Sequence, residues 1–314
     1  MTLYRSTATS VLALALSAGT AMADAHADCG TVTFSDVGWT DITATTAATT
    51  VVLEALGYET DILVLSVPVT YTSLAAGDVD IFLGNWMPTM EADIAPYREA
   101  GTVDTVRANL EGAKYTLATN AAGAALGISD FASIANFADE LNGEIYGIEP
   151  GNDGNRLIMD MIEADAFGLS EFEVVESSEQ GMLAQVARQS DREQPIVFLG
   201  WEPHPMNANF ELTYLEGGDD WFGPDLGGAT VFTNTSAGYV AACPNVGALL
   251  QNLQFSLAME NEIMGAILND GEEPADAATA WMVANPDAVM AWLDGVTTFD
   301  GGDATAAVSE ALGL

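Results

Sequence analysis

Three short apolar runs in this chain each lead into a tryptophan. Ile81-Phe82-Leu83 is followed by Gly84-Asn85-Trp86-Met87-Pro88, Ile196-Val197-Phe198-Leu199-Gly200 by Trp201-Glu202-Pro203, and Val32-Thr33-Phe34-Ser35 by Trp39-Thr40-Asp41. Runs of this length read as buried strands, and the Gly-Asn and Met-Pro steps after Leu83 end the first of them. An indole is therefore expected on the turn after each strand, where open α/β sheets place their ligand crevice. One such tryptophan reads equally well as the cap of a core. Three in matching positions constrain the fold to strands that deliver aromatic rings to a common end.

The rest of the chain alternates in the same manner. Thr31–Ser35 reads as a strand, and Thr40 can cap a helix to about Leu56, with Asp41 in its first turn and Gly57 closing it. Asp61–Val67, Val79–Leu83, Ala113–Thr119, Glu144–Ile148, Phe172–Glu176 and Pro195–Gly200 read as further strands. Val69–Ala76, Thr89–Ala100, Ser129–Leu141, a segment from Asn152 to about Ala166, and Glu179–Arg188 read as helices. Phe210–Tyr214 and Thr230–Thr233 look extended, and Asn245–Leu314 is mostly helical. Short connections between alternating strands and helices imply α/β layers on a largely parallel sheet. A single sheet could hold 314 residues, but two lobes suit that length better.

Composition narrows the partners. Half the chain is hydrophobic and mean hydropathy is +0.20, so a substantial core is available. Seven Lys and Arg stand against 46 Asp and Glu, a net charge of −39. That field repels nucleic acid and anionic lipid, favours solubility and suits a salty medium. Residues 1–23 have the form of a secretory signal: Arg5, an apolar core from Val11 to Leu16, and Ala21-Met22-Ala23 as a cleavage site before Asp24. No later segment has the length of a membrane helix. The two cysteines, Cys29 and Cys243, fit an oxidising compartment and one disulfide, with two unpaired thiols as the alternative. Only His204 remains beyond the signal region and Ala25-His26-Ala27, too few ligands for a His/Cys metal cluster. No metal or other cofactor is expected.

Trp39, Trp86, Tyr115 and Trp201 lie at strand ends or faces. If they converge, their π-faces form a box for a methylated cation, each face contributing about 0.5–2 kcal/mol once water is excluded. Spacing alone leaves a core role open for any one of them. Five stretches carry a closer likeness: Phe34-Ser35-Asp36-Val37-Gly38-Trp39-Thr40-Asp41, Gly84-Asn85-Trp86-Met87-Pro88-Thr89-Met90, Gly112-Ala113-Lys114-Tyr115, Gly147-Ile148-Glu149-Pro150-Gly151-Asn152-Asp153-Gly154-Asn155 and Leu199-Gly200-Trp201-Glu202-Pro203-His204-Pro205. In this order they resemble the choline-binding proteins of ABC importers, within the glycine betaine/choline/proline group of periplasmic solute-binding proteins. The resemblance covers Cys29 to Leu314.

It implies a two-lobed periplasmic binding protein of type II form, each lobe a mixed, largely parallel sheet flanked by helices and joined by a hinge. Residues 28–112 with 208–314 would make one lobe and 113–207 the other. The family's aromatic box falls on Trp39, Trp86, Tyr115 and Trp201, its carboxylate on Asp41 and its amide for the choline hydroxyl on Asn152. The likeness also supports pairing Cys29 with Cys243. It implies a periplasmic monomer that binds a small quaternary ammonium ligand and serves an inner-membrane permease and its ATPase.

Asp41 is the discriminating residue. A carboxylate beside a quaternary ammonium favours choline and can accept its hydroxyl proton. It repels the carboxylate of glycine betaine or dimethylsulfoniopropionate, the competing cargoes. Asp41 equally reads as a stabiliser of the first turn of its helix and Asn152 as the cap of another, roles compatible with ligand contact. Lys114 and Arg156 read as surface or ion-pair residues. A secreted carbohydrate-active enzyme is the remote alternative, since aromatics and acids also line sugar sites. No G-x-S-x-G elbow, metal signature or nucleotide loop is present, so a non-enzymatic receptor is expected.

Overall fold

A computed structural model describes residues 29–314; the expected export signal, residues 1–23, lies outside the described residues. Nine strands form one sheet: β1 (Thr31–Asp36), β2 (Glu59–Val64), β3 (Ile81–Met87), β4 (Val103–Asn120), β5 (Glu144–Tyr146), β6 (Glu173–Val175), β7 (Val197–Glu202), β8 (Leu212–Tyr214) and β9 (Gly228–Ser236). Their order is β2-β1-β3-β9-β4-β7-β5-β6, with β8 also on β4. The flanks are parallel, as strand–helix alternation requires: β1 pairs with β2 and β3, and β5 with β6 and β7. The middle is antiparallel, because β4 and β9 run against their neighbours.

The 18-residue β4 joins the two flanks. Its first part, Val103–Lys114, pairs with β9, and Lys114–Thr119 pairs with β7. The sequence reading found only the second part. Residues 103–112 carry Asp104, Arg107, Asn109 and Glu111, and the pairing with β9 slips at Thr105/Arg107, Ala108/Leu110 and Glu111/Ala113. Each slip breaks the alternation by which a half-buried strand is recognised. Trp86 and Trp201 also differ from expectation, since they lie inside β3 and β7 rather than on the turns that follow. Only Trp39 sits beyond its strand.

The helix Thr40–Ala55 begins directly after Trp39, so Trp39 rather than Thr40 holds the N-cap position. Twelve of its sixteen residues are buried, among them five threonines. Their hydroxyls are turned back onto the helix where Thr45 donates to the Asp41 carbonyl at 3.1 Å and Thr49 to the Thr45 carbonyl at 2.8 Å. This satisfies polar atoms without a partner from outside, and lets the helix lie against Leu257–Gly265 and Pro274–Ala284 in the C-terminal helical layer. In the other half, Asn152 caps the helix Asp153–Glu163, its Oδ1 accepting from the Asn155 amide.

Cys29 and Cys243 form a disulfide across a sequence separation of 214. It fixes the start of β1 to the turn before the helix Pro244–Asn252. Closing so long a loop removes much denatured-state freedom. Replacing both cysteines with serine is expected to cost about 3–5 kcal/mol. Calorimetric melting should fall by roughly 10 °C.

Candidate functional site

One cavity of about 270 Å³, counted as space free of atoms and partly open to solvent, is lined by Trp39, Asp41, Trp86, Tyr115, Ile148, Asn152, Asp153 and Trp201. All six residues singled out from the sequence are in that set. Three of the rings project from one stretch of sheet, since β3, β9, β4 and β7 are consecutive strands. Trp86 and Tyr115 lie 6.1 Å apart at 61°, and Tyr115 and Trp201 lie 6.2 Å apart at 79°. Tyr115 is directly opposite Trp201 in the β4–β7 register. Trp39 completes the enclosure from the head of its helix. None of the four rings is more than 6% exposed.

The polar atoms are tied to these rings. Trp86 Nε1 donates to Asp41 Oδ2 at 3.1 Å, and Trp39 Nε1 donates to Glu149 Oε1 at 2.7 Å. Tyr115 donates its hydroxyl proton to Asn152 Oδ1 at 2.8 Å. Asn152 Oδ1 also takes the Asn155 amide, and Nδ2 gives one proton to Asp153 Oδ1 at 3.1 Å. Its carbonyl side is filled, so the Asn152 amide offers the cavity a donor. Gly154 makes the Tyr115 contact possible: a Cβ there would stand 2.1 Å from the phenolic oxygen.

The cavity is acidic, and its carboxyls are buried. Burial pushes the Asp41 carboxyl up to about 8, with the negative charge of Glu179 adding to the shift. Its Oδ1 is buried and without a hydrogen-bond partner. Burial likewise pushes Asp153 up to about 7, against the opposing effect of the Thr89 hydroxyl. Behind Asp41, Glu260 is buried and held well above its ordinary range by burial and then by Asp41 itself. A site that strains two carboxyls toward neutrality gains from a cation that cannot be hydrogen-bonded but can be surrounded.

Ile148 and Asp153 were not assigned by sequence reasoning, and neither were Glu149, Glu179 and His204, which bond or pack against residues of the site or their neighbour Thr40. Ile148, Glu149 and Asp153 fall in the quoted stretch Gly147–Asn155, where the strand–turn–helix change exposes several successive residues to one space. Glu179 carries no local signal, because it reaches the site only through the tertiary fold. Lys114 and Arg156 are in ion pairs, with Glu202 at 3.3 Å and Asp93 at 2.7 Å. Among the described residues, no group of three His, Cys, Asp or Glu could hold a metal ion.

Residues 30–284 match the family model described as the substrate-binding domain of the ABC-type glycine betaine transport system. A solved ABC-transporter choline-binding protein in complex with choline is 73% identical, with a TM-score of 0.90 over 90% of this chain and 98% of that one. An ABC-transporter choline-binding protein in an unliganded semi-closed conformation is also 73% identical, with a TM-score of 0.84 over 91% and 99% of the two chains. The glycine betaine/carnitine transport binding protein of Listeria monocytogenes is 28% identical over 166 residues, 53% of this chain and 54% of its own length. The fold is thus the two-lobed form of periplasmic binding proteins. The chain belongs to the family of substrate-binding domains of ABC-type glycine betaine transport systems.

Proposed function

We propose that this chain is a periplasmic receptor that captures choline and delivers it to an inner-membrane ABC permease and its ATPase, without catalysing a reaction. The observation that carries the reading is the one cavity lined together by Trp39, Trp86, Tyr115, Trp201 and the carboxyl-bearing Asp41. The trimethylammonium would sit among the ring faces, where each face contributes about 0.5–2 kcal/mol in the absence of water. Asp41 supplies the compensating charge. The hydroxyl oxygen would accept the remaining amide proton of Asn152, while Asp41 can take the hydroxyl proton. The choline-bound relative at 73% identity supports this choice of cargo.

In this reading residues 28–112 with 208–314 form one lobe and 113–207 the other. Trp39, Asp41 and Trp86 come from the first, and Tyr115, Asn152 and Trp201 from the second. The chain acts as a monomer, exported by a signal cleaved near Ala23. No helix of the described residues is long and apolar enough to cross a membrane.

The second reading keeps the receptor and changes the cargo to glycine betaine or dimethylsulfoniopropionate. The family description favours it, and so does the high pKa of Asp41, since a protonated carboxyl does not repel a carboxylate. Calorimetry with choline, acetylcholine, glycine betaine and dimethylsulfoniopropionate separates the two. Choline should bind most tightly at pH 8, and Asp41→Asn should weaken choline while strengthening the zwitterions. A betaine preference in the unmodified protein at pH 8 would establish the second reading instead.

Trp86→Ala and Trp201→Ala should each weaken choline by about tenfold to thirtyfold, corresponding to roughly 1.4–2 kcal/mol. Unchanged affinity in both would remove the box. Gly154→Ala should displace the Tyr115 hydroxyl and weaken choline as well, with a loss of about 1–3 kcal/mol of stability in denaturant titration from overpacking. The pH dependence has a definite sign. A cation favours the ionised form of Asp41, so binding below pH 8 releases a proton and affinity rises with pH toward 8. The ligand-free protein behaves oppositely. A carboxyl whose folded pKa is raised binds its proton more tightly than the unfolded chain does, so this contribution to stability is present at low pH and is lost as pH rises toward 8. Asp41→Asn should flatten most of the affinity profile, leaving the part due to Asp153.

A further inference from the structure

The helix that presents Trp39 and Asp41 begins badly by its own resources. Trp39 occupies the N-cap position and has no side-chain oxygen with which to satisfy the first amides. Asp36 covers part of the need, accepting from the Gly38 amide and from the Thr43 hydroxyl, both at 2.7 Å. The Thr40 amide is satisfied by Glu179, a residue 139 positions away, whose Oε2 accepts it at 2.8 Å. Glu179 Oε1 accepts the Thr40 hydroxyl proton as well.

Glu179 is itself held in place. It is the first residue of the helix Glu179–Asp191, so its carboxylate lies near two helix N-termini, where negative charge is favoured. His204 Nδ1 accepts the Met206 amide at 2.9 Å, which leaves the proton on Nε2, 3.3 Å from Glu179 Oε1. The His204 ring also packs edge-on to Trp201, with centroids 4.9 Å apart. Glu179 and His204 are each 1% exposed. A continuous path therefore runs from Trp201 through His204 and Glu179 to Thr40, between Trp39 and Asp41.

We propose that Glu179 is the positioning residue that locks the binding cavity shut, by capping from the second lobe the helix that carries Trp39 and Asp41 in the first. The inference rests on the lobe division given above. Opening the cleft withdraws this cap and leaves the Thr40 amide to water. Closure restores it and brings Trp39 Nε1 to Glu149 Oε1. The same movement brings the charge of Glu179 toward Asp41 and Asp36, where it adds to the upward push of burial. A cation in the box relieves that repulsion, so the latch engages fully only on charged cargo.

The test is choline binding by Glu179→Gln and Glu179→Ala, using stopped-flow tryptophan fluorescence and calorimetry. A glutamine keeps an acceptor for Thr40 but loses the charge; an alanine loses both. Dissociation should accelerate about threefold to tenfold in the glutamine variant and tenfold or more in the alanine variant, with association within about threefold of the parent. Melting of the ligand-free protein should be nearly unchanged, because the latch acts in the closed form. An unchanged dissociation rate in Glu179→Ala overturns the proposal, as does a loss of ligand-free stability that accounts for the loss of affinity. Binding by the unmodified protein tests the choice of cargo separately. If another onium compound of the panel replaces choline, the variant-to-parent ratio is read with that compound. Spin labels at Asp61→Cys and Asp191→Cys, read at saturating choline or the onium compound that replaces it, give a second reading: Glu179→Ala should lower the fraction of short distances in the distribution, and an identical distribution argues against the latch.

Discussion

A carboxylate withdrawn from water, with one oxygen left unpartnered, sets the terms for the structure around it. Asp41 is held by the Trp86 indole on one oxygen and by nothing on the other, with Glu179 and Glu260 adding negative charge nearby. Such a group is costly to ionise without a counter-charge. A protein that only needed a stable core would place an aliphatic side chain there. The arrangement is favourable in the presence of a cation, and the rings around it exclude the small hydrated ions that would otherwise serve. Aromatic enclosure selects for bulk and methylation, and the acid selects for charge.

Holding such a site requires rigid support. The central antiparallel strands supply it, since β4 runs through both flanks and brings Tyr115 opposite Trp201 by backbone register rather than by side-chain packing alone. The hydrogen bonds of Tyr115 to Asn152 and of Asn152 to Asp153 and Asn155 then fix the polar side of the cavity. Where local propensity is poor, distant residues compensate. A tryptophan at a helix N-cap is the clearest instance, with the missing acceptor provided by Glu179.

Much of this was legible in the sequence. Apolar runs of three to five residues announced the buried strands, and tryptophans after them announced a common end. The quoted stretches carried all six cavity residues that were named. What escaped has a physical reason. The first part of β4 escaped because its repeated slips against β9 erase alternation. The tryptophans of β3 and β7 were placed on turns because glycine and proline near them look like strand ends, whereas both strands continue to Met87 and Glu202. Glu179 and His204 escaped because an acid at a helix start and a lone histidine have ordinary explanations, and only the tertiary fold brings them to Thr40 and Trp201. In a chain with 46 acidic residues, type alone distinguishes none of them.

The division of labour within the cavity has a consequence for how such receptors diversify. Tyr115, Trp86 and Trp201 hang from the sheet, while Asp41 and Asn152 stand at the beginnings of two helices. Residues at a helix start can change identity without altering strand register. The onium cradle and the group that reads the far end of the cargo are thus separately mutable, and a lineage could exchange one substrate for another by editing two helix heads while its cradle stayed intact.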